Sequence, residues 1–398
     1  MANVSSSNVL EKYPKLRFKG FSEPWKKTPF SKLYRYVSEK NDGSLGVDKI
    51  ISVANMYFKP DARISDEEYL RTYNVFRLGD IAFEGNKSKN FAFGRFVENT
   101  IGDGIVSHVF VVFRPLHHDH NLGYWKYAIN NENVMGRILA RCTKKTTMMT
   151  NLVSDDFLEE EMFCPSNAEQ RKISSFLELL ERKIDAQIKL VEHLKKYKRG
   201  LLSSLLDKEE WQTVLMQDVA SGFDYGMNSA ATEYDGKHKY IRITDIDEST
   251  HKYISTECVS PSDLPETKYK VEENDILFAR TGASVGKSYI YDSRDGELYY
   301  AGFLIRASVK PDFNSYFVYL NTLTLGYQRW VVLESTRSGQ PGINAEQYRN
   351  YKFKCPPIEI QSKIANIFIR FDLKLQREQE ILDCLLNYKK AMMQNIFV

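Results

Sequence analysis

Gln170-Arg171-Lys172-Ile173 opens a stretch that runs to Leu206, and Gln361-Ser362-Lys363-Ile364 opens a second that runs to Phe397, at a constant offset of 191 residues. Ile173 matches Ile364, Leu177 matches Phe368, Ile184 matches Leu375, Val191 matches Leu382, Leu194 matches Leu385, and Tyr197-Lys198 matches Tyr388-Lys389. From Glu169 to Leu206 there is no proline, and Gly200 is the only glycine. A helix of that span is roughly 55 Å long at 1.5 Å per residue. A repeat this long implies one architecture made twice, with two similar surfaces related by an approximate internal two-fold axis.

Apolar residues recur with heptad spacing in both copies: Ile173, Leu177, Leu180, Ile184, Val191, Leu194, Leu201 and Leu205 in one, Ile364, Phe368, Phe371, Leu375, Leu382, Leu385, Met392 and Ile396 in the other. A stripe of that length must find another stripe. A coiled-coil dimer of two chains is one solution. The favoured one is intramolecular: the first helix leads away from the first domain and the second leads back, which makes an antiparallel pair. Gln187 with Glu378, and Lys198 with Lys389, interrupt the stripe at matching places and are candidates for fixing register or docking a partner.

Each half begins at a tryptophan, Trp25 through Leu33 and Trp211 through Val219. Short β-rich runs follow: Lys49–Val53, Asp80–Phe83 and Val109–Phe113 in the first half, Tyr240–Ile243, Asp275–Phe278 and Phe303–Arg306 in the second. Helical stretches are expected over Tyr124–Ala140 and Tyr316–Val332. Cys164-Pro165 and Cys355-Pro356-Pro357 stop each domain before its long helix, and Ser166 with Glu169 has capping-box spacing. The expected fold is α+β: two pseudo-symmetric domains, 1–165 and 209–356, joined by two long antiparallel helices, 166–208 and 357–398.

The chain carries 55 Lys and Arg against 52 Asp and Glu, a formal charge of +3. That balance argues against nucleic-acid binding by bulk charge, so any such contact must come from local basic loops or be shared with a partner. The five cysteines are scattered without a Cys-x-x-Cys pair, which indicates neither a disulfide framework nor a zinc site and suits a reducing cytoplasm. No apolar run reaches the roughly 18–20 residues of a membrane span.

Two loops per half carry the residues suited to nucleic acid. After the strand 81–83 come Lys87, Lys89, Asn90 and Arg95, and after 276–278 come Arg280, Thr281, Ser284 and Lys287. Just before the long helices lie Lys144, Lys145, Thr146 and Thr147 in one half, and Arg337, Ser338, Gln340 and Asn344 in the other. Lys and Arg neutralise phosphates, and Arg, Asn and Gln also read base edges. The competing reading of each is a solvated loop, and turn chemistry for Gly339 and Gly342.

Other patterns carry less. Gly282-Ala283-Ser284-Val285-Gly286-Lys287-Ser288 has three residues between its glycines where a phosphate loop needs four. Cys355-Pro356-Pro357-Ile358 lacks the amide or carboxylate of a methyltransferase motif. Asp247, Glu266 and Lys268 have the loose spacing of a Mg²⁺-dependent nuclease centre, a pattern common by chance. His117-His118-Asp119-His120 is a loose candidate for a metal but reads as a turn. The expected count of catalytic and metal-ligating residues is therefore none.

With Pro14-Lys15-Leu16-Arg17-Phe18, Gly20-Phe21 and Trp25 at the start, Tyr240 to Ile246, Asp275 to Gly282 and Ser338 to Asn344 further on, and the helix written twice, the chain resembles the specificity subunits of type I restriction-modification systems. The resemblance implies a non-catalytic subunit with two target-recognition domains, each reading half of a split, asymmetric site on double-stranded DNA. It also implies that the paired helices, through Ile173, Leu177, Ile184, Val191, Leu194, Ile364, Phe368, Leu375, Leu382 and Leu385, pair with each other or dock two methyltransferase subunits. No cofactor is expected in this chain. The implied partners are those methyltransferases, which use S-adenosylmethionine to modify adenine, and restriction-translocase subunits, which use ATP with Mg²⁺. A stand-alone Mg²⁺-dependent nuclease and a coiled-coil adapter that never touches DNA are the alternatives.

Overall fold

The computed structural model describes residues 11–62, 67–145, 149–336 and 340–398. They divide into two compact units, one of the described residues up to 187 together with 381–398, the other of those in 188–380.

In the first unit Trp25–Pro29 (β1) pairs with Glu161–Cys164 (β6), closing the domain on itself. Between them Tyr34–Val37 (β2), Ile81–Glu84 (β3), Arg95–Glu98 (β4) and Val111–Pro115 (β5) make an antiparallel sheet in the order β2-β5-β3-β4. Strand β3 is buried along its whole length because both faces of the sheet are covered. The period of two sends Ile81 and Phe83 into a cluster with Phe30, Phe96, Phe113 and Phe157, and Ala82 into another with Val37, Phe76 and Val112. Leu122–Ala128 (α1), Glu132–Cys142 (α2) and Ser154–Glu159 (α3) supply the first cluster. The single helical stretch expected over 124–140 is thus two helices. Asn131 parts them: its Oδ1 accepts from the Asn133 N–H at 3.1 Å, and its Nδ2 donates to the Met393 carbonyl at 3.0 Å.

The second unit repeats this plan. Gln212–Leu215 (β7) pairs with Lys352–Cys355 (β12), and Ala220–Tyr225 (β8), Asp275–Ala279 (β9), Ser288–Ile290 (β10) and Leu304–Val309 (β11) form a sheet in the order β8-β11-β9-β10. Ser315–Asn321 (α5), Leu325–Ser335 (α6) and Ala345–Arg349 (α7) pack on it. Here too an expected single stretch, 316–332, is broken by a cap, the Thr324 hydroxyl accepting from the Tyr327 N–H. The strands expected at Val109–Phe113 and Phe303–Arg306 begin later, at Val111 and Leu304, and Lys49–Val53 is a strand only at Ile51–Ser52.

The long helices are Asn167–Leu206 (α4) and Ile358–Ile396 (α8). Their starts match in chemistry: Gln170 Nε2 donates to the Pro165 carbonyl at 3.2 Å, and Gln361 Nε2 to the Pro356 carbonyl at 2.8 Å. The capping box is half present. Ser166 Oγ accepts from the Glu169 N–H, but the Glu169 carboxylate does not reach back; it takes Arg17 and the indole N–H of Trp25.

In the first unit Phe176 and Glu181 of α4 meet Tyr388 and Lys389 of α8; in the second, Tyr197 and Lys198 meet Phe371 and Asp372. Partners run in opposite directions along the two helices, so they pair antiparallel within one chain. The lysines at the interrupted heptad positions hold this register. Lys389 Nζ lies 2.6 Å from Glu181 and Lys198 Nζ 2.6 Å from Asp372, one ion pair made twice at the repeat offset. Burial pushes the Glu181 carboxyl up, but Lys389, Tyr127 and Lys126 more than reverse that and hold it at about 2.

Charge exchange tests the register. Lys198→Glu sets like charges together beside the Tyr316 hydroxyl, which also donates to Asp372. Urea unfolding is expected to show a loss of about 1–3 kcal/mol in this variant, most of it recovered by adding Asp372→Lys. A double variant as weak as the sum of both singles contradicts the pairing.

Candidate nucleic-acid interface

In the first unit Gly85 directly follows β3, and there the two basic loops are stitched together. The Thr150 N–H donates to the Gly85 carbonyl at 2.9 Å, the Thr150 hydroxyl donates to the carbonyls of Gly85 and Phe93, and Asn86 bridges to Met149. Only glycine allows this approach, because a Cβ at position 85 would meet the Thr150 carbonyl oxygen at 2.2 Å. Lys87, Lys89 and Asn90 are exposed on one loop. Lys144 and Lys145 are exposed on the other, on a ribbon in which Thr143–Lys145 pairs with Thr150–Leu152, and the Lys145 ammonium sits 5.7 Å from the Phe93 ring. The sequence does not reveal this joining, since the two loops lie some sixty residues apart in the chain.

Arg95 departs from expectation. Its guanidinium is half-buried, bonded to Glu84 at 2.7 Å and to the Ala54 carbonyl, and rests on the Phe91 ring, so it braces the loop rather than facing outward. Thr146 and Thr147 lie outside the described residues, as do Arg337 and Ser338.

The second unit joins its loops at the corresponding place. Past the end of β9 the Arg280 carbonyl accepts from the Ile343 N–H at 2.9 Å, the Gly282 N–H donates to the Pro341 carbonyl, and Thr281 bridges to Gly342. The Arg280 guanidinium lies 4.6 Å from the ring centre of Tyr225, whose hydroxyl accepts from the Ala345 N–H. Arg280, Thr281 and Ser284 are half-buried at the rim, and Gln340 is exposed. Two residues serve other ends. Asn344 is the N-cap of α7, in a reciprocal pair with Gln347. Lys287 is buried, its ammonium donating to the Ile246 carbonyl at 3.0 Å and pairing with Glu248 at 2.6 Å. It holds the sheet to the 246–248 segment and does not face a phosphate, and the turn Gly282–Ser288 is no phosphate loop.

The remaining chemical candidates disperse. Asp247 Oδ1 accepts from the backbone and hydroxyl groups of both Ser249 and Thr250, while Glu266 and Lys268 pair with each other on the surface. His120 turns inward to Glu98, at 2.6 Å, and stacks on Trp125; burial lowers the imidazole to about 4 and raises the Glu98 carboxyl. His117 contacts the Lys32 carbonyl and Asp119 contacts Asn167. Among the described residues no cluster of His, Cys, Asp and Glu suits a metal ion, and no helix is long and apolar enough to cross a membrane.

The heptad residues divide by depth. Ile173 and Leu177 belong to the aromatic core of the first unit, Ile364 and Phe368 to that of the second. Ile184, Val191 and Leu382 are buried, and Leu194, Leu375 and Leu385 half-buried. These side chains are spent on pairing and on the cores. The flanking positions stay exposed instead: Leu190 and Tyr197 in the second unit, Ile381 and Tyr388 in the first, equivalent at the 191 offset.

Residues 208–386 match the family described as the type I restriction modification DNA specificity domain. A protein named as the MjaX type I restriction enzyme specificity subunit of Methanocaldococcus jannaschii is 24% identical over 198 residues, 48% of this chain and 46% of that protein. The EcoEI specificity subunit of Escherichia coli is 24% identical over 208 residues, 47% of this chain and 34% of its own length. These matched stretches span less than half of either relative. In fold, the chain is similar to the S subunit of a type I restriction-modification system from M. genitalium, with a TM-score of 0.59 and 15% identity over 97% of this chain and 99% of that one.

Proposed function

From the kinship of this chain with type I restriction-modification specificity subunits, we propose that it reads a split, asymmetric site on double-stranded DNA, one half with each unit. The observation that carries this reading is the loop pair built twice: Gly85 with Thr150 in one unit, Arg280 with Ile343 in the other, each joining a basic loop to the segment before a long helix. Such specificity subunits are non-catalytic. The helices, 40 and 39 residues long, set the unread spacer. Leu190 with Tyr197, and Ile381 with Tyr388, offer equivalent apolar contacts to two methyltransferase subunits. Those partners supply S-adenosylmethionine chemistry on adenine, and a restriction-translocase subunit brings ATP and Mg²⁺.

Methylated adenines mapped in a host carrying this chain with its methyltransferase partner test the reading. A split motif with one modified adenine on each strand is expected, and a continuous motif contradicts it. Substitutions separate contact from scaffold. Lys145→Ala is expected to weaken binding of the mapped DNA, to reduce the slope of log affinity against log salt by about one, and to leave thermal stability unchanged. Lys287→Ala should instead lower stability by about 1–3 kcal/mol, because it strands the buried Ile246 carbonyl.

A further inference from the structure

Two of the apolar runs that read as strands begin with a residue that is not in the strand. Leu304 N–H donates to the Ala301 carbonyl at 2.8 Å, and Phe110 N–H to the Ser107 carbonyl at 3.0 Å. Each bond closes a four-residue turn leading into the central strand of its sheet, β11 or β5. The third residue of the turn, Phe303 in one unit and Val109 in the other, is thrust outward, 60% and 63% exposed. The positions are equivalent, since two residues further on Ile305 pairs with Phe278 and Val111 pairs with Phe83.

Both turns stand at the joined loops. The Phe303 carbonyl accepts from the N–H of Arg280, the residue whose guanidinium stacks on Tyr225, at 3.0 Å. Val109 lies two residues before Val111, which pairs with Phe83, and Gly85 follows Phe83 by two residues. Among the described residues no ring partner covers Phe303. A single exposed apolar residue needs no explanation. The same turn presenting one at the same rim in both repeats does, and an exposed apolar tip there is suited to a methyl.

We propose that Phe303 and Val109 are specificity-determining residues that pack on the 5-methyl groups of thymines in the major groove, one in each half-site. This rests on the DNA-reading function above. A thymine methyl is the one apolar group that a base edge offers there. Covering one is worth about fourfold in affinity.

The test uses the full chain with its methyltransferase partner and DNA carrying the mapped site, with deoxyuridine replacing thymine in one half-site at a time. Wild type is expected to lose about fourfold per covered methyl in each half. Phe303→Ala should bind the natural site more weakly and become indifferent to deoxyuridine in one half-site, while remaining sensitive in the other; Val109→Ser should show the converse, and Phe303→Leu should keep part of the discrimination. Equal sensitivity of wild type and both variants, or a mapped half-site without thymine, overturns the proposal and leaves the DNA-reading function intact. Failure of wild type to prefer the mapped site over unrelated DNA overturns both.

Discussion

Phe157→Ala is expected to cost about 3–5 kcal/mol, the range for emptying a fully buried aromatic site. Phe157 lies on the six-residue helix α3 and is 0% exposed, with ring centres of Phe30, Phe96 and Phe113 at 4.4, 4.5 and 4.9 Å. Those three rings come from the turn after β1, from β4 and from β5, so removing the fourth opens a cavity that no single element can move to fill. The consequence reaches the candidate interface, because α3 follows directly on the ribbon that carries Lys144 and Lys145. Two-unit unfolding need not be a single transition. A urea or thermal profile should therefore show one transition moving and the other fixed, whereas Asp155→Ala, on the exposed side of the same helix, should move neither. An unchanged profile for Phe157→Ala contradicts the packing. The equivalent residue in the second unit, Tyr348, is also fully buried, and its hydroxyl donates to the Ala279 carbonyl at 2.9 Å.

That equivalence was legible before any coordinates, because Phe157 and Tyr348 fall at the 191 offset just before the prolines that start α4 and α8. The helices were legible for the same reason that they exist: a 3.5-residue period, with Lys198 and Lys389 as the polar exceptions that prove to set the register. Short-range detail was harder. Asn131 and Thr324 are ordinary caps, yet each sits inside an apolar stretch whose periodicity spans it, so two helices read as one. Side-chain direction was hardest. Arg95 and Lys287 have the composition and neighbours of phosphate contacts, and what turns them inward is Glu84 across a strand pair and Ile246 and Glu248 some forty residues away. Val109 and Phe303 err in the opposite sense. Apolar residues at the head of a strand-like run imply burial, and only the turn hydrogen bonds of Phe110 and Leu304 reveal that they point out.

Glu169→Ala is the second substitution with a large expected effect, and it tests why the opening segment of the chain matters. The Glu169 carboxylate is almost wholly buried at the start of α4; Arg17 grips it through two bonds of 2.8 Å, and the Trp25 indole N–H adds a third at 3.2 Å. The same segment stays in place through Phe18, edge-on to Phe176, and through the Leu16 N–H, which donates to the Asn395 carbonyl at the end of α8. Deleting the carboxylate leaves a mostly buried guanidinium and an indole donor unsatisfied. Arg17 retains some access to water, so the cost falls at the lower end for a broken buried pair, about 3 kcal/mol, or about 6–12 °C in a unit of this size. Glu169→Gln keeps an acceptor for one donor and should lose less. The second unit has Ile360 at the equivalent position, where no such grip exists. Ile360→Ala should therefore leave the second transition within a few degrees of wild type, and a loss there as large as that of Glu169→Ala would show that the position matters for helix pairing rather than for its grip on the N-terminal segment.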